Sequence, residues 1–324
     1  MTSSPILVTG GAGFIGSHLV ERLVDAGYEV DVVDNLSTGS LANLRTARGK
    51  GDRGLRFHRL DIVDGDLDAL MMRRQPWAVI HLAAQVNVRE SMLDPVGDLV
   101  TNVVGSLRVL EAARHSGVSK VIFATSAGIY GAITSTDLPV REDVAHLPDS
   151  FYGLSKDTVL AYLRLYRVNF DLDYTALVLA NVYGPRQGIL GEGGVVAKFA
   201  QAIISGEQAS ILGDGSQTRD FVYVDDVVDA FYRSLEHGSG LTLNIATGIE
   251  TSINTLHKEM YRIAGSEYRQ PVYCQPIPGE IMRSSLDARR AGWYLRWHAS
   301  TTLERGLERV VEWYEDLDSQ TARS

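Results

Sequence analysis

A glycine-rich turn between a predicted strand and a predicted helix constrains the fold of this chain more than any other stretch. Residues 6–8 are apolar, and Gly10, Gly13 and Gly16 follow them. Apolar residues then recur at helical spacing, and a second strand is predicted at 29–34. Glycines so placed let the backbone approach a pyrophosphate, while the helix N-terminus supplies free N–H groups. This order predicts a dinucleotide-binding βαβ unit.

Asp34 closes the second of these strands and indicates which dinucleotide binds. A carboxylate at this place accepts hydrogen bonds from both ribose hydroxyls of NAD and repels the 2′-phosphate of NADP, so NAD is the predicted cofactor. Asp61 and Ile62 follow the end of a third predicted strand, residues 55–60. An Asp there either contacts the adenine or caps a turn, and both interpretations stay open.

Predicted strands alternate with predicted helices along the first half of the chain. The strands are at 78–82, 120–124 and 173–179, and the helices are at 66–75, 102–115 and 152–170. Alternation of this kind is typical of a parallel sheet that helices cover on both faces. The predicted fold class is therefore α/β, a Rossmann-type doubly wound parallel sheet with a smaller C-terminal α/β lobe that binds substrate.

The second half of the chain departs from this alternation. Its predicted elements are helices at 195–205, 224–236, 253–264 and 302–316, strands at 219–223 and 241–245, and a tight turn at 213–215. The strand at 241–245 is predicted to return to the main sheet. The expected domains are an NAD-binding domain (1–179, with 221–247 returning to it), a substrate-binding lobe (180–220 and 248–318) and a tail (319–324).

Tyr152 and Lys156 are the first candidates for chemistry. They are four residues apart on a predicted helix and so share one face. A Lys beside a Tyr is expected to lower the phenol pKa from its reference value of about 10, and a phenolate can take a proton from a sugar hydroxyl. Thr125 and Ser126 stand at the carboxyl end of a predicted strand, where open α/β sheets bind ligands. The spacing alone is also typical of a half-buried Tyr beside a solvated Lys.

Composition and charge disfavour several classes of function. The net charge of −9, without a basic run, argues against nucleic-acid or anionic-membrane partners. No apolar run approaches the roughly 20 residues of a membrane helix, and the N-terminus does not resemble a signal peptide. A single cysteine, Cys274, allows no internal disulfide, so a cytoplasmic location is expected. The histidines lack metal-binding spacing, and no metal is predicted.

Several further motifs, together with the glycine-rich turn, resemble one enzyme family. They are His81-Leu82-Ala83-Ala84, Asn102-Val103-x-Gly105, Ser126-x-x-x-Tyr130-Gly131, Tyr152-x-x-x-Lys156, Asn181-Val182-Tyr183-Gly184-Pro185-Arg186, Gly213-Asp214-Gly215 and Arg219-Asp220-Phe221. From about residue 6 to about residue 311 the chain is similar to the extended short-chain dehydrogenase/reductases of the NAD-dependent epimerase/dehydratase family. Within that family it looks most like the UDP-glucose 4-epimerase-like nucleotide-sugar enzymes.

The resemblance implies a catalytic set of Ser126, Tyr152 and Lys156. Tyr152 would remove the proton of the sugar 4-hydroxyl, Lys156 would hold the nicotinamide ribose, and Ser126 would hydrogen-bond the same sugar oxygen. The C4 hydrogen would leave as hydride to NAD+ and return to the other face of a 4-keto sugar, which inverts C4. The implied cofactor residues are Gly10, Gly13, Phe14, Ile15, Gly16, Asp34, Asn35, Asp61, Ile62, Leu82, Ala83, Ala84, Asn102, Tyr152 and Lys156.

The resemblance also implies a set of residues that bind the nucleotide sugar. They are Val88, Ser126, Asn181, Val195, Arg219 and Arg283. A guanidinium can bond two phosphate oxygens at once, which suits Arg219 and Arg283. Arg283 could instead pair with Glu280 or Asp287 and be structural. Asn102 could fix the Tyr152 helix rather than contact a ligand.

A homodimer is the expected assembly. The predicted helices at 102–115 and 152–170 carry apolar residues on more than one face, including Leu160, Leu163 and Leu165. Burial within one chain cannot take both faces of both helices. The resemblance implies that the two helices pair across a two-fold axis as a four-helix bundle.

The two residues after Ser126 bear on the type of reaction. Relatives that are sugar 4,6-dehydratases carry Asp-Glu near this place, and decarboxylating relatives carry Glu. Ala127-Gly128 supplies neither an acid nor a base, which favours plain oxidation and re-reduction at C4. Asn181 stands where uronic-acid 4-epimerases tend to have Thr, which disfavours a C6 carboxylate.

Departures from the family pattern leave the sugar and the nucleotide open. Many relatives have Arg where this chain has Ile277, and Arg-Tyr or Arg-Phe where it has Val178-Leu179. The lost basic residue at Ile277 implies weaker binding of a diphosphate. Ser284 stands where a bulky Tyr closes the pocket of some relatives to 2-N-acetyl sugars, so N-acetylhexosamine nucleotides are expected to fit.

Two other classes of protein compete with an epimerase. An NAD-dependent sugar or amino-acid dehydrogenase of the same fold, which releases its ketone product, stays open as an alternative. A non-catalytic dinucleotide-sensing protein is disfavoured, because relatives of that kind usually lose the Tyr or the Lys. Here Ser126, Tyr152 and Lys156 are all present.

Overall fold

A seven-stranded parallel sheet forms the centre of the computed structural model, which describes residues 4–49, 54–132, 137–188, 194–276 and 281–321. In sheet order the strands are Leu55–Arg59 (β3), Val30–Asp34 (β2), Ile6–Thr9 (β1), Ala78–His81 (β4), Lys120–Ser126 (β5), Asp173–Leu179 (β6) and Leu241–Ile245 (β10). The order reverses between β1 and β4, the place where doubly wound sheets bind dinucleotides. The predicted fold class is confirmed, and so is the return of β10 to this sheet beside β6.

Helices cover both faces of the sheet, and others, such as Val195–Ser205 and Ile253–Ile263, pack against each other. They are Phe14–Asp25 (α1), Arg45–Gly49 (α2), Leu67–Arg74 (α3), Val88–Leu93 (α4), Pro95–Leu99 (α5), Gly105–His115 (α6), Phe151–Phe170 (α7), Val195–Ser205 (α8), Val224–Ser234 (α9), Ile253–Ile263 (α10), Arg289–Leu295 (α11) and Leu303–Thr321 (α12). Among the described residues, none of these helices combines the length and the apolar character that a membrane crossing requires.

The remaining strands lie outside the main sheet. Asn181–Tyr183 (β7), Thr218–Tyr223 (β9) and Glu250–Ser252 (β11) form a small sheet with β9 in the middle, and Ser210–Leu212 (β8) pairs with Val272–Cys274 (β12). These strands fall in or next to the segments predicted to form the substrate-binding lobe. The bounds of that lobe stay a prediction.

Alternate residues of β1 show why its sequence is continuously apolar. Ile6 and Val8 belong to a buried cluster on one face of the sheet, and Leu7 belongs to the cluster on the other face. All three side chains are fully buried. Parallel strands with helices on both faces need apolar side chains at successive positions, as in this stretch.

Two local features differ from the sequence-based expectation. Residues 181–183 form the short strand β7, which the sequence did not predict, because they pair in parallel with β9. Helices α4 and α5 precede the predicted helix at 102–115, and a π-helical turn, Val100–Val104, joins α5 to α6. Their signals were present, since Asn87 and Asp94 cap the two helices through their side chains. Short helices offer too few turns for a periodic pattern to be recognised.

Candidate active site

The glycine-rich turn lies against the loop that follows β4. Gly10 has φ +70°, and a Cβ added to it would lie 2.7 Å from the backbone nitrogen of Ala83. A Cβ on Gly16 would collide with the carbonyl oxygen of Gly10, which brings the first turn of α1 onto the glycine loop. The two glycines are therefore required by close backbone approach. The turn and the N-terminus of α1 thus meet at the switch point of the sheet.

Asp34 is fixed beside this turn at the carboxyl end of β2. Its Oδ2 accepts a hydrogen bond from the Ala12 N–H (3.0 Å), and its Oδ1 accepts one from the Leu36 N–H (2.8 Å). The residue is 8 % exposed. Because a carboxylate oxygen has further lone-pair sites, both oxygens can still accept from a ligand. The close glycine turn and this buried carboxylate fit a dinucleotide.

The hydrogen bonds of Asp61 support its proposed role as a turn cap, whereas contact with the adenine stays a prediction. Its Oδ1 accepts from the Val63 N–H (2.8 Å), which is the turn cap that the sequence left open. Its Oδ2 accepts from the amide of Asn35 (2.7 Å), so two predicted cofactor residues contact each other. The side chain of Ile62 is buried and would lie 2.7 Å from a Cβ on Gly105. Contact with a cofactor would therefore fall to the backbone of Ile62.

His81 and Thr9 hold the loop that follows β4. The Ala83 N–H donates to Thr9 Oγ1 (3.2 Å), and the Leu82 N–H donates to the Thr9 carbonyl (3.1 Å). Thr9 Oγ1 also shares a hydrogen bond of 2.7 Å with His81 Nδ1. Burial, with a smaller effect of the Lys156 charge, lowers the pKa of His81 to about 3. His81 is therefore a neutral structural residue at physiological pH.

Asn102 forms its hydrogen bonds within the protein in this structure, and its role as a direct cofactor ligand stays a prediction. Its Nδ2 donates to the Gln85 carbonyl and to Asp98 Oδ1, each at 2.9 Å. Its Oδ1 accepts from the Gln85 N–H, also at 2.9 Å. Both amide hydrogens are thus used within the protein. The alternative that Asn102 fixes neighbouring structure has the support of these contacts.

Ser126, Tyr152 and Lys156 come together at the carboxyl end of β5. The hydroxyls of Tyr152 and Ser126 share a hydrogen bond, and Ser126 Oγ also accepts from the Gly128 N–H (3.2 Å). Lys156 Nζ donates to the Ala124 carbonyl (3.1 Å) and lies 5.9 Å from the centroid of the Tyr152 ring. A phenol, a hydroxyl and an ammonium in this arrangement can bind and deprotonate an alcohol.

The predicted lowering of the Tyr152 pKa is wrong for this structure. Burial raises the pKa of Tyr152 to about 12, against the hydrogen bond with Ser126, which lowers it, while the Asp98 charge raises it further. Burial lowers the pKa of Lys156 to about 8, and the Asp98 charge opposes that change. Loss of water around the two side chains on burial dominates both pKa shifts. The spacing of Tyr152 and Lys156 in the sequence gave no information about that burial.

The predicted substrate residues lie on the surrounding elements. Asn181 is exposed two residues after Leu179, which pairs with Ser126 across β5 and β6. Val88 begins α4, whose Ser91 Oγ accepts from the Tyr152 N–H (3.1 Å). Val195 begins α8 and packs partly buried against the core.

The two predicted phosphate-binding arginines have protein partners. Arg219 Nη1 donates to the carbonyls of Ile281 (2.6 Å) and Thr218 (2.8 Å). Arg283 forms a two-pronged ion pair with Glu250, at 2.9 and 2.6 Å, and not with Asp287. Glu280 and Ile277 lie outside the described residues. Both arginines stay predictions as phosphate ligands, and Arg283 would have to exchange its carboxylate partner.

Arg186, the last residue of the motif at 181–186, bridges separate segments. Its Nη2 pairs with Glu21 Oε2 of α1 at 2.7 Å. Its Nη1 donates to Ser17 Oγ (3.2 Å) and to the Asn43 carbonyl (3.3 Å). The loop after β7 is thereby fixed to the helix that follows the glycine-rich turn.

Sequence reasoning missed three side chains near Tyr152, namely Ser91, Asp98 and Ser155. Asp98 and Asn102 are four residues apart, the spacing that brings two side chains of a helix together. That signal was available but weak. The prediction of no metal stays a prediction, although residues within the described ranges include no group of three or more His, Cys, Asp or Glu placed to hold one.

Comparisons with known proteins converge on one family. The model of the NAD dependent epimerase/dehydratase family matches residues 6–246. The UDP-glucose 4-epimerase of Mycolicibacterium smegmatis is 44% identical over 310 residues, which covers 95% of this chain and 97% of that protein.

Two solved structures are similar over nearly their whole length. The UDP-glucose 4-epimerase of Thermotoga maritima with UDP-glucose has a TM-score of 0.91 and 41% identity, and the match covers 97% of this chain and 99% of that one. The UDP-glucose 4-epimerase of Thermus thermophilus with NAD has a TM-score of 0.86 and 35% identity, with coverage of 96% and 99%.

Proposed function

This chain belongs to the NAD dependent epimerase/dehydratase family, and from that premise we propose that it inverts C4 of a nucleotide-diphosphate sugar. The substrate class is UDP-glucose and UDP-galactose or their N-acetylhexosamine counterparts. The observation that carries the proposal is the hydrogen bond between Tyr152 and Ser126 beside buried Lys156, at the sheet edge that also holds Asp34. These groups suit the oxidation and re-reduction of a secondary alcohol.

NAD fits the glycine-rich turn and Asp34. The backbone of the turn would approach the pyrophosphate, and the Asp34 carboxylate would accept from ribose hydroxyls. When bound, NAD+ supplies a hydride acceptor for C4, a hydride donor for the return, and a positive charge that favours the phenolate of Tyr152.

The residues of this chain supply the proton chemistry. Tyr152, as phenolate, takes the proton of the sugar 4-hydroxyl as the C4 hydrogen leaves, and it returns that proton to the oxygen of the 4-keto sugar. Ser126 donates a hydrogen bond to the same oxygen and so stabilises its negative charge. The ammonium of Lys156 favours the phenolate over the phenol, against the burial that raises the pKa of Tyr152.

The turn after Ser126 favours epimerisation over elimination. Ala127–Ile129 is a single 3-10 turn, and a Cβ on Gly128 would lie 3.9 Å from the Tyr152 ring. A side chain at residue 128 would therefore reach the reacting groups, but neither Ala127 nor Gly128 carries an acid or a base. Loss of water from the sugar needs such a group, whereas inversion at C4 does not.

Incubation with a panel of UDP-sugars tests the function. We expect C4 epimers to appear without net NADH, because the hydride returns to the sugar. The products are separated by chromatography and NADH is followed by absorbance. Stoichiometric NADH with a released ketone and no epimer would instead support the dehydrogenase alternative.

Ser284 is proposed to set which sugars fit. It is half-buried beside Arg283, which Glu250 holds in place. In the same panel, Ser284→Tyr is expected to lower kcat/KM for UDP-N-acetylhexosamines by about 10-fold or more, the scale of a steric misfit in a pocket, and to spare plain hexoses. Ser284→Ala is the matched control and should accept both sugars. Equal slowing of both sugar types by Tyr would place Ser284 away from the C2 substituent.

A homodimer through α7 is proposed from an apolar stripe on that helix. Leu154, Leu165 and Val168 are 49%, 57% and 81% exposed, and exposed Ala161 lies between them at the alternating spacings of a helix–helix contact. Exposed Leu93, Val96 and Leu99 add apolar area on α4 and α5. Leu160 and Leu163, which the sequence offered as interface residues, are buried within the chain.

We expect light scattering at micromolar concentration to give twice the chain mass of 35.5 kDa. Leu165→Asp with Val168→Asp should shift the mass to that of one chain, because charges replace apolar contacts on both sides of a two-fold axis. Trp293→Asp is the matched control, since Trp293 is 72% exposed on α11. A wild-type protein of single-chain mass would contradict the proposal.

A cytoplasmic location accompanies the proposed function. Cys274 is a free and exposed thiol, which persists most readily in a reducing compartment. The net charge of −9 does not favour anionic surfaces or nucleic acid as partners.

A further inference from the structure

Asp98 is a buried carboxylate whose hydrogen-bond donors in the structure are neutral. It is 1% exposed on α5. Its Oδ2 accepts from Ser155 Oγ (2.5 Å), and its Oδ1 accepts from the amides of Asn102 (2.9 Å) and Gln85 (3.2 Å). Burial of a carboxylate without a cation is unfavourable unless other interactions compensate. A buried charge beside a candidate active site is therefore a candidate for function.

Lys156 is a buried cation that directly follows Ser155, the hydroxyl donor to Asp98, in the sequence. Ser155, which donates to Asp98, precedes Lys156 and lies three residues after Tyr152, so all three side chains belong to one stretch of α7. Lys156 is 4% exposed. Its Nζ donates to the Ala124 carbonyl and lies 4.9 Å from the centroid of the Phe123 ring.

Among the described residues, three titratable groups interact with Lys156 from the elements around it. They are Tyr152 on α7 itself, Asp98 on α5 and His81 on β4. From β5 come a carbonyl and an aromatic ring, which do not titrate. His81 is neutral above about pH 3, so it adds no charge in the working range. Asp98 thus supplies the negative charge that acts on this ammonium.

We propose that Asp98 is the fixed counter-charge of Lys156 and that, through Lys156 and Tyr152, it sets the pH range in which the enzyme turns over. The inference rests on the proposed function for its kinetic test. Asp98 is a positioning residue, because it contacts Ser155, Asn102 and Gln85 and not the reacting atoms.

The sign of the effect follows from the charges. Burial lowers the pKa of Lys156 to about 8, and the Asp98 charge raises it. The same charge raises the pKa of Tyr152. Neutralising Asp98 therefore lowers both pKa values. Lys156 then loses its proton at a lower pH, and the ammonium that favours the phenolate is lost earlier as the pH rises.

Two variants separate the charge of Asp98 from its hydrogen bond. Asp98→Asn removes the charge and keeps the size of the side chain. Ser155→Ala removes the 2.5 Å hydrogen bond and keeps the charge. We expect the alkaline limb of the kcat–pH profile to move about one pH unit or more toward acid in Asp98→Asn, the shift expected when one nearby charge is lost. The limb should stay in place in Ser155→Ala.

A second measurement reports on Lys156 without turnover. The chain has five lysines, Lys50, Lys120, Lys156, Lys198 and Lys258, so the Nζ signal of lysine-labelled protein can be assigned with a few substitutions. We expect NMR titration to show a lower Lys156 pKa in Asp98→Asn than in the wild type. Asp98→Ser is a second neutral variant should Asn not fold, and thermal melts check folding. Asp98→Glu keeps the charge and should keep the wild-type limb.

The outcomes are distinct. An unchanged Lys156 pKa in both neutral variants, or equal loss of kcat at every pH, would overturn the proposal and leave Asp98 with a structural role. A shift as large in Ser155→Ala as in Asp98→Asn would overturn it too, because the hydrogen bond would then be the cause. If wild type turns over no nucleotide sugar, the proposed function fails, while the NMR titration still decides the role of Asp98.

Discussion

Replacement of Tyr152 by Phe is expected to lower kcat by about 10²–10⁴-fold, the range of general base catalysis, while NAD stays bound. The ring keeps its place at the start of α7, since the Tyr152 N–H still donates to Ser91 Oγ (3.1 Å). Only the oxygen that hydrogen-bonds Ser126 is lost. Turnover is measured on the best sugar of the panel, and NAD is quantified after denaturation of the purified protein.

Tyr130 provides the matched control for this variant. It is a buried tyrosine, at 2% exposure, and its hydroxyl donates to Asn244 Oδ1 (2.8 Å). Tyr130→Phe removes a hydrogen-bonded phenol oxygen outside the catalytic set, so its effect on kcat should be within a few-fold. Activity of Tyr152→Phe near the wild-type level would mean that another group removes the proton. Loss of bound NAD would mean that the substitution disturbs the cofactor site.

The parts of the molecule that the sequence predicted well depend on local patterns. The spacing of Gly10 and Gly16, with apolar residues before and after them, specifies a turn that only close backbone approach explains. Asp34 follows from the same unit, because the end of β2 lies beside the turn in any βαβ unit of this hand. The mostly apolar residues 241–245 indicated a strand that returns to the main sheet, and in the structure it pairs in parallel with β6 at one edge.

The parts that it missed depend on contacts between distant segments. The pKa of Tyr152 follows from burial, and burial is decided by how α7 packs on the sheet and on α5. Arg283 could have paired with several acids of similar distance in sequence, and the chain path brings it to Glu250, 33 residues away. Asp98 was not singled out from the sequence, because its donor Ser155 is 57 residues further along the chain. Spacing in sequence carries no information about such pairs.

The cofactor choice is the second large effect that we expect. NADP should bind at least about 100-fold more weakly than NAD, which corresponds to about 2.7 kcal/mol. A 2′-phosphate would bring two negative charges against the Asp34 carboxylate in a poorly solvated place. That carboxylate cannot swing away at little cost, since the N–H groups of Ala12 and Leu36 donate to its two oxygens. Calorimetry of both dinucleotides on protein freed of cofactor measures the ratio.

Asp34→Asn should narrow this ratio by removing the charge while the amide keeps one acceptor for the ribose. The substitution is expected to weaken the binding of NAD and to bring the affinity for NADP closer to the affinity for NAD. Asp61→Asn is the matched control, because Asp61 is a neighbouring carboxylate that Asn35 and the Val63 N–H already hold. If Asp34→Asn and Asp61→Asn changed the ratio of NAD affinity to NADP affinity equally, the selectivity would come from the overall negative potential of the groove. If the wild-type protein bound NADP as tightly as NAD, Asp34 would not contact the ribose. A fixed carboxylate in contact with a 2′-phosphate must weaken the binding of NADP.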